Sequence, residues 1–342
     1  MINIGINGFG RIGRAVFRII QSDKNLRIVV INDIDPLLDN HAYLVNYDSI
    51  YGSLTNKVKA DNQKNSLLTN KGEILFYSEP NIRKAPWIDH DVDLIIDSSG
   101  IYSNVVEAHK LIQSGIKKVI VTHSPKESID QTIIIGANEK MYDREKHHVI
   151  SASICDANAC APVLNALDTT FGIEDGFITT LHPWLGYQNL VDGSLHSIRN
   201  PGHYWKDFAL GRSSTDSLIP KPTTLMPAII KALPDLNLNI EAMSFRIPTG
   251  IVSASDMVLT LKDESHENDI KESLFLLSKT YPDTILINEE PLVSIDFKGI
   301  NQSCVIDMRW IKLINKRKLK IVLWYDNEWS YSRRVVDLIK LL

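Results

Sequence analysis

Cysteine is scarce in this chain, and the three that occur, Cys155, Cys160 and Cys304, make neither a disulfide framework nor a CxxC metal pair. Ten histidines are scattered without ligand spacing, so no metal site is expected. Long apolar runs are missing as well. No stretch approaches the roughly 20 residues needed to span a bilayer. Charge of one sign is not in excess: the formal net charge is -4, and no basic field invites nucleic acid or an anionic membrane. The opening "MINIGINGFGRIGR" reads as a strand and a turn, without a signal-peptide layout. There is no internal repeat and no low-complexity linker. These absences lead to the expectation of a cytoplasmic protein of a reducing compartment, with no nucleic-acid or membrane partner.

What remains is ordinary globular material. Of the 342 residues 44% are hydrophobic and 23% charged, enough for one large domain or two medium ones. The first half alternates strand and helix patterns. "INIGI" (2–6), "RIVVIND" (27–33), "DLIIDSSG" (93–100), "KKVIVTH" (117–123) and "HVISASI" (148–154) read as strands. Helical spacing links Ile12, Val16, Ile19 and Ile20, and fills 103–114. Buried strands that alternate with helices predict an α/β fold with a parallel doubly wound sheet. After Cys155 strand patterns follow one another at 176–182, 241–249, 253–262, 294–299 and 319–326. Helical patterns lie at 156–168, 224–233 and 266–280. That texture predicts an α+β domain with a mostly antiparallel sheet. The segment 185–222 has no clear period, and a loop of that length is usually functional or disordered. Its Tyr187, Tyr204 and Trp205 suggest that it docks on something. The last helix carries Tyr331, Val335, Leu338 and Leu342 on one stripe, which predicts packing back onto the first domain.

"NGFGRIG" places Gly8, Gly10 and Gly13 in G-x-G-x-x-G spacing between a strand and a helix. Gly8 permits the tight turn, Gly10 the approach of a pyrophosphate, and Gly13 close helix–strand packing. Asp33 ends the second strand, where a carboxylate binds a ribose 2′-hydroxyl and repels a 2′-phosphate, so NAD is expected over NADP.

"SASICDANACAP" (151–162) sets Cys155 where a strand ends and a helix begins. A helix N-terminus or a neighbouring histidine lowers a thiol pKa. The strand "TTLHPW" ends on such a histidine, His182. Spacing alone leaves Cys155 open between an inert packing thiol, the commoner case, and a nucleophile. Asp156 reads as an N-cap or, if its side chain faces the site, as a charge that repels a bound anion.

A resemblance narrows the choice. "INGFGRIGR", "YDSIYG" (47–52), "CDANACAP" (155–162), "TTLHPWLGYQNLVDG" (179–193), "FRIPT" (245–249) and "WYDNEWSYSRRVVDLI" (324–339) occur in the order found in glyceraldehyde-3-phosphate dehydrogenases. The likeness runs through essentially the whole chain. It implies an NAD-binding Rossmann domain of residues 1–153 and 327–342, and a catalytic domain of residues 154–326. Cys155 resembles the family's nucleophile and His182 its base. The resemblance further implies that Arg11, Ile12, Ser99, Gly100, Thr122, Asn327 and Tyr331 join the glycines and Asp33 around NAD. It assigns Asn158, Thr223, Arg212 and Arg246 to the substrate. A homo-oligomer, tetramer or dimer, is implied too. The family's chemistry is oxidation of an aldehyde through a cysteine hemithioacetal and a thioacyl enzyme.

The active-site motifs are edited. The family reads S-C-T-T-N-C-L-A-P at the nucleophile, where this chain has Ile154, Asp156 and Ala157 in place of the serine and two threonines. In the family the serine and the first threonine help hold inorganic phosphate. Of the downstream Thr-Gly pair, Thr223 matches and Thr224 does not. Two more threonines after the histidine, one a substrate-phosphate ligand, become Leu185 and Tyr187. The loop from Gly193 to Arg212 is longer than usual and brings His196, Arg199, His203 and Lys206. Each hydrogen bond lost to a charged group costs roughly 1.5–3 kcal/mol. The expectation is an aldehyde other than simple glyceraldehyde 3-phosphate, anionic and sugar-like, whose acyl group is released by water. An ordinary phosphorylating enzyme with rebuilt phosphate sites, or a non-catalytic NAD-binding scaffold, are the alternatives.

Overall fold

A computed structural model describes residues 1–194, 207–236 and 238–342. His196, Arg199, His203, Tyr204, Trp205 and Lys206 lie outside the described residues. The chain forms two compact units, Met1–Ile154 with Tyr331–Leu342, and Cys155–Ser330.

In the first unit a nine-stranded sheet runs in the order Gln131–Thr132, Val149–Ser151, Lys118–Val121, Leu94–Asp97, Ile2–Asn7, Leu26–Asn32, Gly72–Tyr77, Ser66–Thr69, Lys59–Asp61. Pairing is parallel as far as Gly72–Tyr77 and antiparallel beyond it. Strands buried on both faces read as near-continuous apolar runs: Ile4, Ile6, Val30, Ile31, Ile95, Ile96, Val119 and Ile120 are all solvent-free. The helices Arg11–Ile20 and Asn104–Gln113 follow the predicted periods, and the C-terminal helix buries Tyr331, Val335 and Leu338. Within this unit Lys340 on that helix pairs with Asp23 at 3.0 Å.

The second unit carries an eight-stranded sheet, ordered Ile219–Pro222, Asn239–Ile247, Ile173–Pro183, Ser253–Leu261, Lys318–Tyr325, Cys304–Asp307, Ile285–Asn288, with Lys312–Ile314 added beside Lys318–Tyr325. Ile173–Pro183 pairs parallel with Asn239–Ile247, and Ile285–Asn288 with Cys304–Asp307; the other pairs are antiparallel. The Cys155–Phe171 helix is buried along nearly all of its first half.

Two local readings are corrected. "SIDFKG" is not a strand: Ser294–Phe297 is a 3₁₀ turn, because Asp296 accepts from the Val293 N–H at 2.8 Å and closes a cap there. The polar–apolar alternation of so short a segment fits either form. The unread stretch 185–222 contains the strand Ile219–Pro222. It holds Pro220 and Pro222, which hid it, and the edge of a sheet is where prolines are tolerated.

Candidate active site

Cys155 is the first residue of its helix, and His182 lies against it from a strand of the same unit. His182 stands opposite Arg246 across one strand pair, and Arg246 opposite Ile219 across the next. Side chains alternate faces along a strand, so Lys221, two residues from Ile219, shares the face of Arg246 and His182. Pro220 and Pro222 point the other way and are exposed, while Ile219 is buried and Lys221 half-buried.

Cys155 is half-buried, with its Sγ 3.8 Å from His182 Nε2 and donating to Asp156 Oδ1 at 3.4 Å. These reactive groups all lie within 4.8 Å of one another. His182 Nδ1 is 2.7 Å from the carbonyl of Pro183. A carbonyl only accepts, so the Nδ1 proton is fixed there and the Nε2 lone pair faces the sulfur. Asp156 is buried and does not cap the helix from outside; its Oδ1 also accepts from Tyr325 OH at 2.8 Å.

Electrostatics follow from this placement. Burial, and then the Asp156 carboxylate, push the Cys155 thiol well above its usual range. The helix N-terminus favours thiolate, yet here it is outweighed. Burial, and then the Arg246 charge, hold His182 down to about 4. The resting pair is therefore a neutral thiol beside a neutral imidazole. Lys221 is held down to about 8 by burial and by Arg246.

The dinucleotide turn has the shape its glycines imply. Gly8 has φ +88°, and a Cβ there would lie 2.5 Å from the Ser99 backbone. A Cβ on Gly13 would meet the Gly8 carbonyl at 2.3 Å. At Gly10 a Cβ would meet nothing within 4 Å among the described residues. The Arg11–Ile20 helix starts there on Gly10, which supplies no side-chain cap to it. That cradle fits a pyrophosphate. Asp33 Oδ2 accepts from Phe9 N–H at 2.5 Å and Oδ1 from Asp35 N–H at 3.0 Å, which ties it to the same turn. Arg11 pairs with Asp48 of "YDSIYG". Ser99 Oγ accepts from Asn104 at 3.1 Å, Gly100 has φ +73°, and Thr122 Oγ1 donates to the Asp97 carbonyl at 3.1 Å.

The chain matches the family model described as glyceraldehyde 3-phosphate dehydrogenase, NAD binding domain, over residues 2–105, and that of the C-terminal domain over residues 154–327. The chain belongs to the glyceraldehyde 3-phosphate dehydrogenase family. It is 36% identical to glyceraldehyde-3-phosphate dehydrogenase 2 of Bacillus subtilis (strain 168), over 99% of this chain and 96% of that one. It is 35% identical to the glyceraldehyde-3-phosphate dehydrogenase of Geobacillus stearothermophilus, over 98% and 97%. It is an NAD-dependent dehydrogenase of this type.

The remaining residues singled out in the sequence are placed unevenly. Asn158 is buried in the first turns of the nucleophile helix. Thr223 Oγ1 accepts from Leu225 N–H at 3.2 Å, at the start of the next helix. Arg212 is held in an exposed ion pair, Nε to Asp192 Oδ2 at 3.0 Å, away from any bond to Cys155 or His182 among the described residues. Asn327 is buried in the second unit, where its Oδ1 accepts from Val252 N–H at 3.1 Å. Tyr331 is buried in the first unit and donates to the Ser153 carbonyl at 3.0 Å. Tyr187 OH lies 3.3 Å from Arg246 Nη2, so the residue that replaces a family threonine contacts the family's arginine. Sequence reading missed two members of the cluster. Tyr325 stood inside the quoted "WYDNEW" motif. Lys221 was legible only as the polar member of an inward-facing pair in "IPKP".

Proposed function

We propose that this enzyme oxidises an anionic, sugar-like aldehyde with NAD through Cys155 and releases the acyl group to water. The carrying observation is the Cys155 sulfur set between two proton acceptors, His182 Nε2 at 3.8 Å and Asp156 Oδ1 at 3.4 Å.

Cys155 Sγ adds to the aldehyde carbon as His182 Nε2 takes the thiol proton. The resulting imidazolium faces the new oxyanion, with the Cys155 backbone N–H at the helix N-terminus as a second donor. Bound NAD supplies the acceptor for the hydride that leaves the hemithioacetal carbon. The carbon is then held as a thioester to Sγ, and the His182 imidazolium gives up to solvent the proton it took from the thiol, which restores the neutral base. A water adds to the thioester carbon while Asp156 or neutral His182 takes a proton, the S–C bond breaks, and the acid leaves with Sγ reprotonated. An attacking phosphate meets the Asp156 carboxylate instead of threonine donors. Like charges about 4 Å apart at an effective dielectric near 20 repel by about 4 kcal/mol per unit charge. At the position beside Asp156 that repulsion favours uncharged water as the acceptor, while Arg246 serves the substrate's own anionic group.

The NAD domain of this reading is 1–153 with 327–342, and 154–326 does the chemistry. Asn327 and Tyr331 serve the cofactor side, and Arg246 the substrate's anionic group, with Asn158, Thr223 and Arg212 around it. The enzyme is cytoplasmic and a homo-oligomer, to be read by light scattering.

An aldehyde panel with NAD, each member with and without inorganic phosphate or arsenate, tests the reading. NADH formation that is independent of both anions and yields the free acid is expected. Strict phosphate dependence would overturn hydrolytic release and leave an ordinary phosphorylating enzyme. Turnover retained in Cys155→Ser would overturn the thioester route altogether.

A further inference from the structure

We propose that Lys221 adds a second cation to the anion site that Arg246 serves in the reading above, on the sheet face shared with His182, and that Lys221 sets the preference for a phosphate-class anion. This deepens the reading above and rests on it for the identity of the reaction.

The placement comes from strand register. Ile219 lies opposite Arg246 and Lys221 opposite Ser244, so both cations leave the same face two residues apart, beside His182. Arg246 is 7% exposed, and its Nε has no partner among the described residues. Its one described side-chain bond is to a neutral phenol, Tyr187 OH, and no carboxylate pairs with it among the described residues. Lys221 Nζ donates only to the Pro222 carbonyl at 2.6 Å among the described residues. Two neighbouring cations without a carboxylate between them repel each other, and an arginine so buried is normally paired. An oxyanion supplied from outside resolves both problems. The electrostatic coupling agrees: Arg246 depresses Lys221, while Asp156 and Cys155 favour its charged form. Asp156 does not neutralise the pair, because it sets one negative charge against two positive ones.

Lysine brings a flexible point charge, and arginine a planar fork. Together they suit a tetrahedral dianion better than a single carboxylate. The anion has two sources of the same chemistry: the phosphoryl group of the aldehyde, or free inorganic phosphate.

Three enzymes decide between them: the wild type, Lys221→Met, which keeps the length without the charge, and Lys221→Arg, which keeps the charge. Each is titrated with inorganic phosphate by calorimetry, without NAD or aldehyde, and assayed with glyceraldehyde 3-phosphate against uncharged glyceraldehyde. Thermal melts confirm that all three fold. Lys221→Met is expected to weaken phosphate binding about tenfold to a hundredfold, with Lys221→Arg within a few-fold of the wild type. A matching loss in kcat/KM for the phosphorylated aldehyde only assigns the site to the substrate's phosphoryl group. A loss confined to phosphate binding assigns it to the free anion. Unchanged phosphate binding in Lys221→Met, or equal losses with both aldehydes, overturns the proposal. The calorimetric arm judges Lys221 even if neither aldehyde is oxidised, an outcome that would count against the reaction alone.

Discussion

The Asp156 carboxylate lies against the Cys155 thiol, Oδ1 to Sγ 3.4 Å, and Tyr325 OH fixes it there from the other side at 2.8 Å. A negative charge so placed opposes formation of the thiolate that the chemistry needs. The family pattern has a neutral threonine at this position, so the edit acts on the nucleophile itself.

Asp156→Thr removes that charge. Alkylation of Cys155 by iodoacetamide at neutral pH is expected to become several-fold faster, because one of the two causes that raise the thiol is gone. The same variant is expected to gain stimulation of turnover by phosphate. Alkylation rates equal to the wild type's across pH would show that the carboxylate does not act on the sulfur.

The pH profile follows from the directions of three shifts. His182, at about 4, is a neutral base throughout the working range, so no limb from its titration is expected near pH 6–7. The Cys155 thiol lies well above its usual range, so kcat/KM with an uncharged aldehyde should climb through the alkaline range as thiolate forms. Lys221 carries charge below about 8 and loses it above. With an anionic aldehyde kcat/KM should therefore pass through a maximum near that pH, and the two substrates' profiles should diverge above it.

The glycine turn separates packing from binding. Gly8→Ala forces a positive φ on an L-residue and drives Cβ into the Ser99 backbone at 2.5 Å. It should cost at least about 1–2 kcal/mol in denaturant unfolding. Gly10 has φ -73° and room for a methyl, so Gly10→Ala should leave stability within about 0.5 kcal/mol. It should nonetheless weaken NAD binding by about tenfold or more, measured by calorimetry, because the methyl stands where a pyrophosphate approaches.

The thiols should sort by burial. Cys160 and Cys304 are wholly buried, and burial raises both thiols, Cys160 to about 12. Mass spectrometry after brief iodoacetamide treatment of the native enzyme should find Cys155 alone modified. All three should react after unfolding, and bound phosphorylated aldehyde should protect Cys155.

Much of this was legible in sequence because it rests on short-range rules. The buried strands at Ile2–Asn7, Leu26–Asn32 and Leu94–Asp97 announce themselves by apolar runs, and the Arg11–Ile20 helix by its period. The Ile219–Pro222 strand did not, because its two prolines signal a loop until a neighbouring strand is known to lie on one side only. Ser294–Phe297 misled for the opposite reason: a four-residue alternation carries too little information to outweigh one capping aspartate.

Sequence alone determined the dinucleotide turn and placed Cys155 at a helix start. Glycine sterics and hydrophobic period are local, and a few consecutive residues suffice to express them. Only the tertiary structure decided that Asp156 faces the sulfur instead of solvent, and that Lys221 joins Arg246 and His182. Asp156 is held by Tyr325, which is remote in the chain, while Lys221, Arg246 and His182 meet through inter-strand register, where a slip of one residue would turn each side chain to the opposite face.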